Sequence, residues 1–225
     1  MASKTANRGS ARRAMSVWRM WSDFLTGGAP AGPGGAELDA RYGIETGASV
    51  ELDQLTIRSD SRRFGEPYQA SDPRVLADSL KYLGLDPRGR GFVDLGCGKG
   101  RMLIAAAELG FASCTGVEFA AELARAAQRN AAASGFRQIR IVHGDAGAYA
   151  FPDAPFVLYM FNPFSAEIMA RVRDNLSRLR RPDYAIIYKN ARERHLFDAM
   201  PALHHKGSPP RHGGLWATHL WVTQR

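Results

Sequence analysis

Only two cysteines occur in 225 residues, Cys97 and Cys114. They stand apart with no paired spacing, which excludes a disulfide framework and a zinc knuckle and makes a reducing, cytoplasmic setting the expectation. Long hydrophobic runs are missing as well. No stretch approaches the roughly 20 apolar residues that a bilayer span requires, and the N-terminal region lacks the uninterrupted apolar core of a secretory signal, so a membrane partner is not expected. The six histidines show no repeated ligand spacing with Cys, Asp or Glu, and no metal is assigned. Acidic residues are absent from residues 1–22, which carry Lys4, Arg8, Arg12, Arg13 and Arg19.

What is present is one sizeable domain's worth of apolar residues, 45% of the chain, and a net charge of +8. The charge clusters at the N-terminal region and again at Arg171, Arg173, Arg178, Arg180 and Arg181. A flexible tail and a solvated helix face account for such runs. A nucleic-acid footprint is the less favoured reading, because no basic motif is interleaved with aromatics; for the tail, an organelle presequence is a further alternative.

The chain divides into a flexible basic tail with a Gly/Pro linker (1–36), an N-terminal cap or substrate-side segment (37–70) and a main domain (71–225). In "SDPRVLADSLKYLGL", Asp72 is a cap, Pro73 opens a helix, Leu76, Leu80 and Leu83 form its apolar stripe, and Gly84 stops it. An apolar strand at Phe92–Leu95 leads into a glycine loop and a helix through "RMLIAAAEL" ended by Gly110. Then follow the strand "SCTGV", a helix over about 120–133, and the strands "IRIV" and "FVLYMF". A helix through "SAEIMARVRDNLSRLR" is stopped by Pro182, and the strands "YAIIY" and "LWATHLWVT" complete the pattern. Alternating strands and longer helices give an α/β, doubly wound, mostly parallel sheet.

In such a sheet the ligand lies beyond the carboxyl ends of the strands, where this chain places Asp94, Glu118, Asp145 and Asn162. Three ligands compete for the loop "DLGCGKGR". A nucleoside-triphosphate loop needs glycines five apart followed by Lys and Ser or Thr, but Val93 stands five before Gly98 and Gly100 follows Lys99. A dinucleotide fingerprint, the mark of an NAD(P)-dependent oxidoreductase, needs glycine where Arg101 stands, and it would bring phosphates against Asp94. A cationic nucleoside, S-adenosylmethionine, suits Asp94 through its ammonium and sulfonium. Its ribose suits Glu118, 18 residues after Gly100.

From Ser71 onward the chain resembles the class I S-adenosylmethionine-dependent methyltransferases, on "VDLGCGKGR", on "GVE" at Gly116–Glu118 and on "HGDA" at His143–Ala146. The resemblance implies a Rossmann-like sheet of seven strands with the last antiparallel. It implies that Asp94 and the loop residues Gly96, Cys97, Gly98 and Gly100 take the methionine moiety, Glu118 the ribose and Asp145 the adenine amino group. "MFNPF" resembles the acceptor motif of amino-methylating members, which implies acceptor-side roles for Asn162, Pro163 and Phe164; an Asn-Pro turn closing a strand is the alternative. "GEPYQASDP" resembles the entry segment of some protein lysine methyltransferases, with Tyr68 against the cofactor, and "YGIETG" resembles uncharacterised bacterial members. The implied activity is methyl transfer to a nitrogen of a protein side chain or small molecule. A non-catalytic cofactor-binding assembly factor or sensor is the alternative.

Overall fold

Helix α1, Gly35–Tyr42, begins at the end of the expected Gly/Pro linker, and Gly43 closes it in the left-handed conformation. The computed structural model describes residues 34–47, 70–161, 164–180, 183–212 and 217–224; residues 1–33, with the basic tail, lie outside them. Helix α2, Arg74–Leu83, starts one residue later than expected, with Pro73 rather than Asp72 at the cap position, although the Asp72 carboxylate accepts the Arg74 N–H at 3.0 Å; Gly84 at φ 63° terminates it as expected. Strand β1 is Gly91–Leu95, α3 is Arg101–Glu108, β2 is Ser113–Glu118 and α4 is Ala121–Ser134. They are followed by β3 (Ile139–His143), β4 (Phe156–Phe161), α5 (Ala166–Ser177), β5 (Tyr184–Lys189), α6 (His195–Asp198), β6 (Leu203–Gly207) and β7 (Thr218–Thr223). Helix α5 ends before the expected stop at Pro182, a residue outside the described ones.

The seven strands form one sheet in the order β3-β2-β1-β4-β5-β7-β6. Strands β1 to β5 are parallel, and β7 runs antiparallel between β5 and β6. Strand order reverses between β1 and β4, both of which end at the same edge, and a doubly wound sheet opens its binding crevice there. Helices cover both faces. Phe92, Tyr159, Ala185, Ile187 and Leu220 pack with α2 and α3 on one face, while Leu158, Met160, Ile186 and Trp221 pack with α5 and α6 on the other. Alternate residues of the central strands β1, β4 and β5 are thus buried on opposite faces, which is why these strands read as nearly continuous apolar runs.

Gly116 on β2 is a packing requirement. A Cβ there would lie 2.5 Å from Leu103 Cδ1 and 2.6 Å from Cys97 Sγ, so α3 and the glycine loop close down on bare backbone. Gly116→Ala is expected to lose about 1–3 kcal/mol of stability through overpacking, read as a lower urea midpoint with an unchanged slope.

Candidate functional site

The loop between β1 and α3 is bound to the neighbouring strand. The N–H groups of Gly96 and Cys97 both donate to the Val117 carbonyl on β2, at 2.9 and 3.2 Å, and Gly100 N–H closes a turn onto the Cys97 carbonyl at 2.8 Å. Gly96, Gly98 and Gly100 all have positive φ, at 77°, 53° and 86°, so the path itself selects glycine. For Gly100 a second reason is helix packing rather than ligand: a Cβ would meet Ala127 of α4 at 3.3 Å. The Cys97 side chain turns inward beneath Gly116 and is buried, and burial, then the charges of Asp94 and Glu118, raise its thiol far above the usual range. What Cys97 offers the crevice is backbone.

Two carboxylates converge on this loop. Glu118, at the end of β2, is 3% exposed and accepts the Gly98 N–H on one oxygen and the Ala120 N–H on the other, each at 2.9 Å. The Phe119 N–H supports the carboxylate as well, so of its about four lone-pair sites one stays available. Asp94, at the end of β1, is equally buried. Burial first, and the charge of Glu118 second, raise its carboxyl well above the usual carboxylate range; Glu118 is raised less, because burial is opposed by the backbone donors.

Asp145 follows β3 and is partly exposed. One of its oxygens caps the short turn at Ala146–Ala148 by accepting the Gly147 N–H at 2.7 Å, and the other faces Arg171 Nη1 at 3.3 Å. Phe164 lies against the core on the α5 face, its ring edge-on to Phe119 at 6.4 Å between centroids. Tyr68, Asn162 and Pro163 lie outside the described residues. Three arginines of the second basic cluster are engaged, Arg171 with Asp145, Arg173 with Asp174 and Arg178 with the Asn175 side chain, and Arg181 lies outside the described residues.

The structure adds groups that local sequence gave no sign of. Phe119 continues directly from Glu118 and brings a ring to the same edge. Lys189, the last residue of β5, lies opposite Phe161 at the end of β4 with its ammonium 4.2 Å from the centre of that ring. Burial lowers its pKa, and the nearby Asp72 opposes that. Tyr159 and Tyr188 lie on opposite faces of the sheet. The Tyr159 hydroxyl donates to Ser71 Oγ at 2.7 Å on the Asp94 face; Tyr188 packs edge-on against Phe197 on the other.

The methyltransferase-domain family model matches residues 92–183. Among solved structures, an RNA methyltransferase from Salinibacter ruber in complex with S-adenosyl-L-homocysteine is 20% identical with a TM-score of 0.52, over 70% of this chain and 95% of that one. A putative methyltransferase from Escherichia coli is 14% identical with a TM-score of 0.56, over 76% and 91%. The ribosomal protein L11 methylase from Lactobacillus delbrueckii is 19% identical with a TM-score of 0.50, over 66% and 80%. At these identities the likeness is one of fold. No curated protein matches the chain by sequence. Among the described residues no helix is long and apolar enough to cross a membrane.

Proposed function

We propose that the chain is a class I S-adenosylmethionine-dependent methyltransferase and that it methylates a nitrogen of a protein side chain or small molecule at the carboxyl end of β4. The observation that carries the cofactor half of this reading is the buried pair Asp94 and Glu118 around the glycine loop. The residues fit the group. Asp94 is held at an energetic disadvantage that an ammonium or sulfonium relieves, Glu118 keeps an acceptor site for a ribose hydroxyl, and a phosphate-bearing nucleotide would meet two carboxylates. Asp145 would take the adenine amino group, giving up Arg171 as it does so, and Phe119 and Tyr68 would flank the cofactor.

When bound, S-adenosylmethionine supplies a methyl carbon already activated by its sulfonium. The protein's part is alignment at near-attack distance, which contributes roughly 7–11 kcal/mol in well-oriented reactions. Asn162 would accept a hydrogen bond from the target nitrogen, with Pro163 and Phe164 shaping the wall around it. The Lys189 ammonium, at the end of the adjacent strand, disfavours a second cation and so favours the neutral, nucleophilic form of an amine.

Asn162→Ala is expected to slow methyl transfer about 10²-fold while leaving cofactor affinity nearly intact, as for a group acting on the acceptor's proton. Equal loss of both removes Asn162 from that role. The reading as a whole is tested by incubating the protein with methyl-labelled cofactor and lysate fractions. Label in protein or amine metabolites supports it, label in nucleic acid overturns the acceptor assignment, and S-adenosylmethionine binding without any S-adenosylhomocysteine formed overturns catalysis.

A further inference from the structure

Arg101, the residue following Gly100 and the first of α3, is 9% exposed, and its guanidinium has three separate partners. Nε donates to Thr46 Oγ1 at 2.6 Å, Nη2 to Asp39 Oδ2 at 3.3 Å and Nη1 to the Ser71 carbonyl at 3.3 Å. Asp39 is itself fixed, accepting the Thr46 hydroxyl at 2.5 Å and the Thr46 N–H at 3.0 Å. Helix α1 lies so close that a Cβ at Gly35 would fall 2.3 Å from Arg101 Nη1. On the other side of Gly100, Lys99 pairs with Glu45 at 2.6 Å, and the Asn130 amide donates to both the Glu45 and Lys99 carbonyls at 3.1 and 3.0 Å. Segment 34–47 therefore grips the glycine loop at both residues flanking Gly100. From Ser71 the contacts run on to the Tyr159 hydroxyl, on the strand that ends at the acceptor motif.

We propose that Arg101 is a positioning residue through which segment 34–47 holds the cofactor loop in its binding shape. It does so without touching the cofactor. The inference rests on the reading of that loop as the S-adenosylmethionine site. A buried guanidinium with a carboxylate, a hydroxyl and a carbonyl around it has one favourable orientation, and that orientation fixes the start of α3 and with it the turn from Gly98 to Gly100. Segment 34–47 thus works as a strap across the loop: loosening it spreads the loop over conformations, and apparent affinity falls by the fraction that stays competent.

The test uses the full chain with Arg101→Met, Asp39→Asn, their double variant, and Thr46→Val as the mildest change should the others fold poorly. Each single variant at position 101 or 39 is expected to raise the KM for S-adenosylmethionine about 10-fold, with kcat at saturating cofactor within about 2-fold and the double variant no worse than either single, since both break one linkage. Thr46→Val removes both hydroxyl bonds, from Arg101 and to Asp39, but leaves the Arg101–Asp39 pair, and is expected to raise it about 3-fold. In the ligand-free protein, hydrogen exchange should speed up together at residues 34–47 and 96–101. The inference is overturned if Asp39→Asn leaves KM unchanged while Arg101→Met raises it, which marks direct contact with cofactor. It is also overturned if exchange rises in segment 34–47 alone. Absence of any S-adenosylmethionine binding by the unaltered protein would instead strike the cofactor reading, leaving the exchange result to decide the linkage.

Discussion

Asp94→Asn is expected to bind S-adenosylmethionine about 10- to 100-fold more weakly while its ligand-free form melts at a higher temperature than the unaltered protein. The two effects have one cause. Asp94 is buried with its carboxyl raised well above the usual range, by burial first and by the Glu118 charge second, so the ionised form is a cost that the empty protein carries. Asparagine keeps the shape and removes the charge; each kcal/mol gained is worth about 2–4 °C of melting temperature for a chain of this size. A hydrogen bond to a charged group contributes about 1.5–3 kcal/mol, and the loss of one sets the expected fall in affinity. The sign of the pH dependence follows. A carboxyl whose folded pKa is raised contributes stability that is complete below the unfolded, ordinary carboxylate pKa and is lost as pH rises through the folded value. The ligand-free protein should therefore lose stability across that window, and Asp94→Asn should flatten the loss. Cofactor binding should release a proton wherever Asp94 is still protonated, so affinity rises with pH there. Calorimetry in buffers of different ionisation enthalpy reads the proton count, and a variant that melts lower or binds equally well contradicts the electrostatic match.

Glu118→Gln is expected to be worse for the empty site than its conservative appearance suggests. Both Glu118 oxygens accept backbone N–H groups, from Gly98 and from Ala120. A glutamine can satisfy one and must turn its NH2 toward the other, setting donor against donor in a buried place. An unsatisfied buried donor costs about 1–3 kcal/mol, so the variant should lose stability by that amount and lose cofactor affinity by at least 10-fold as the loop shifts and the ribose loses an acceptor. Glu118 and Asp94 thus carry opposite expectations for stability and the same one for affinity. Thermal melts with and without S-adenosylmethionine separate them, and equal shifts in both variants would show that neither carboxylate is tuned as described.

The central parallel strands were legible because burial on both faces makes them nearly plain apolar runs; "FVLYMF" matches β4 residue for residue. The stop of α2 was legible in Gly84, while its start was legible to within one residue of Pro73. Strand β6, by contrast, is an edge strand whose His204 and Lys206 face solvent, so "LHHKG" carries no apolar signal, and the residues alone gave six strands, the seventh coming from resemblance. The convergence of Asp94 and Glu118 beside the glycine loop was legible because both stand at the carboxyl ends of adjacent parallel strands. Arg101 was not: its partners Thr46 and Asp39 lie 55 and 62 positions away, and no local pattern encodes a pairing at that distance. Gly100 is an instructive case, since the loop motif suggested room for a ligand whereas Ala127 of α4 already fills the space.

Strand β7 is the last of the seven in chain order, yet it is inserted between β5 and β6, and among the described residues β6 is paired with no other strand. During synthesis the flank of β5 must therefore wait, its hydrogen-bonding groups bare, until the ribosome has released Thr218–Thr223. With them comes Trp221, among the largest fully buried side chains. The sheet cannot be assembled strand by strand from one side. Its closure is a late, long-range event that should set the folding rate and leave the nascent chain dependent on protection against edge-to-edge association.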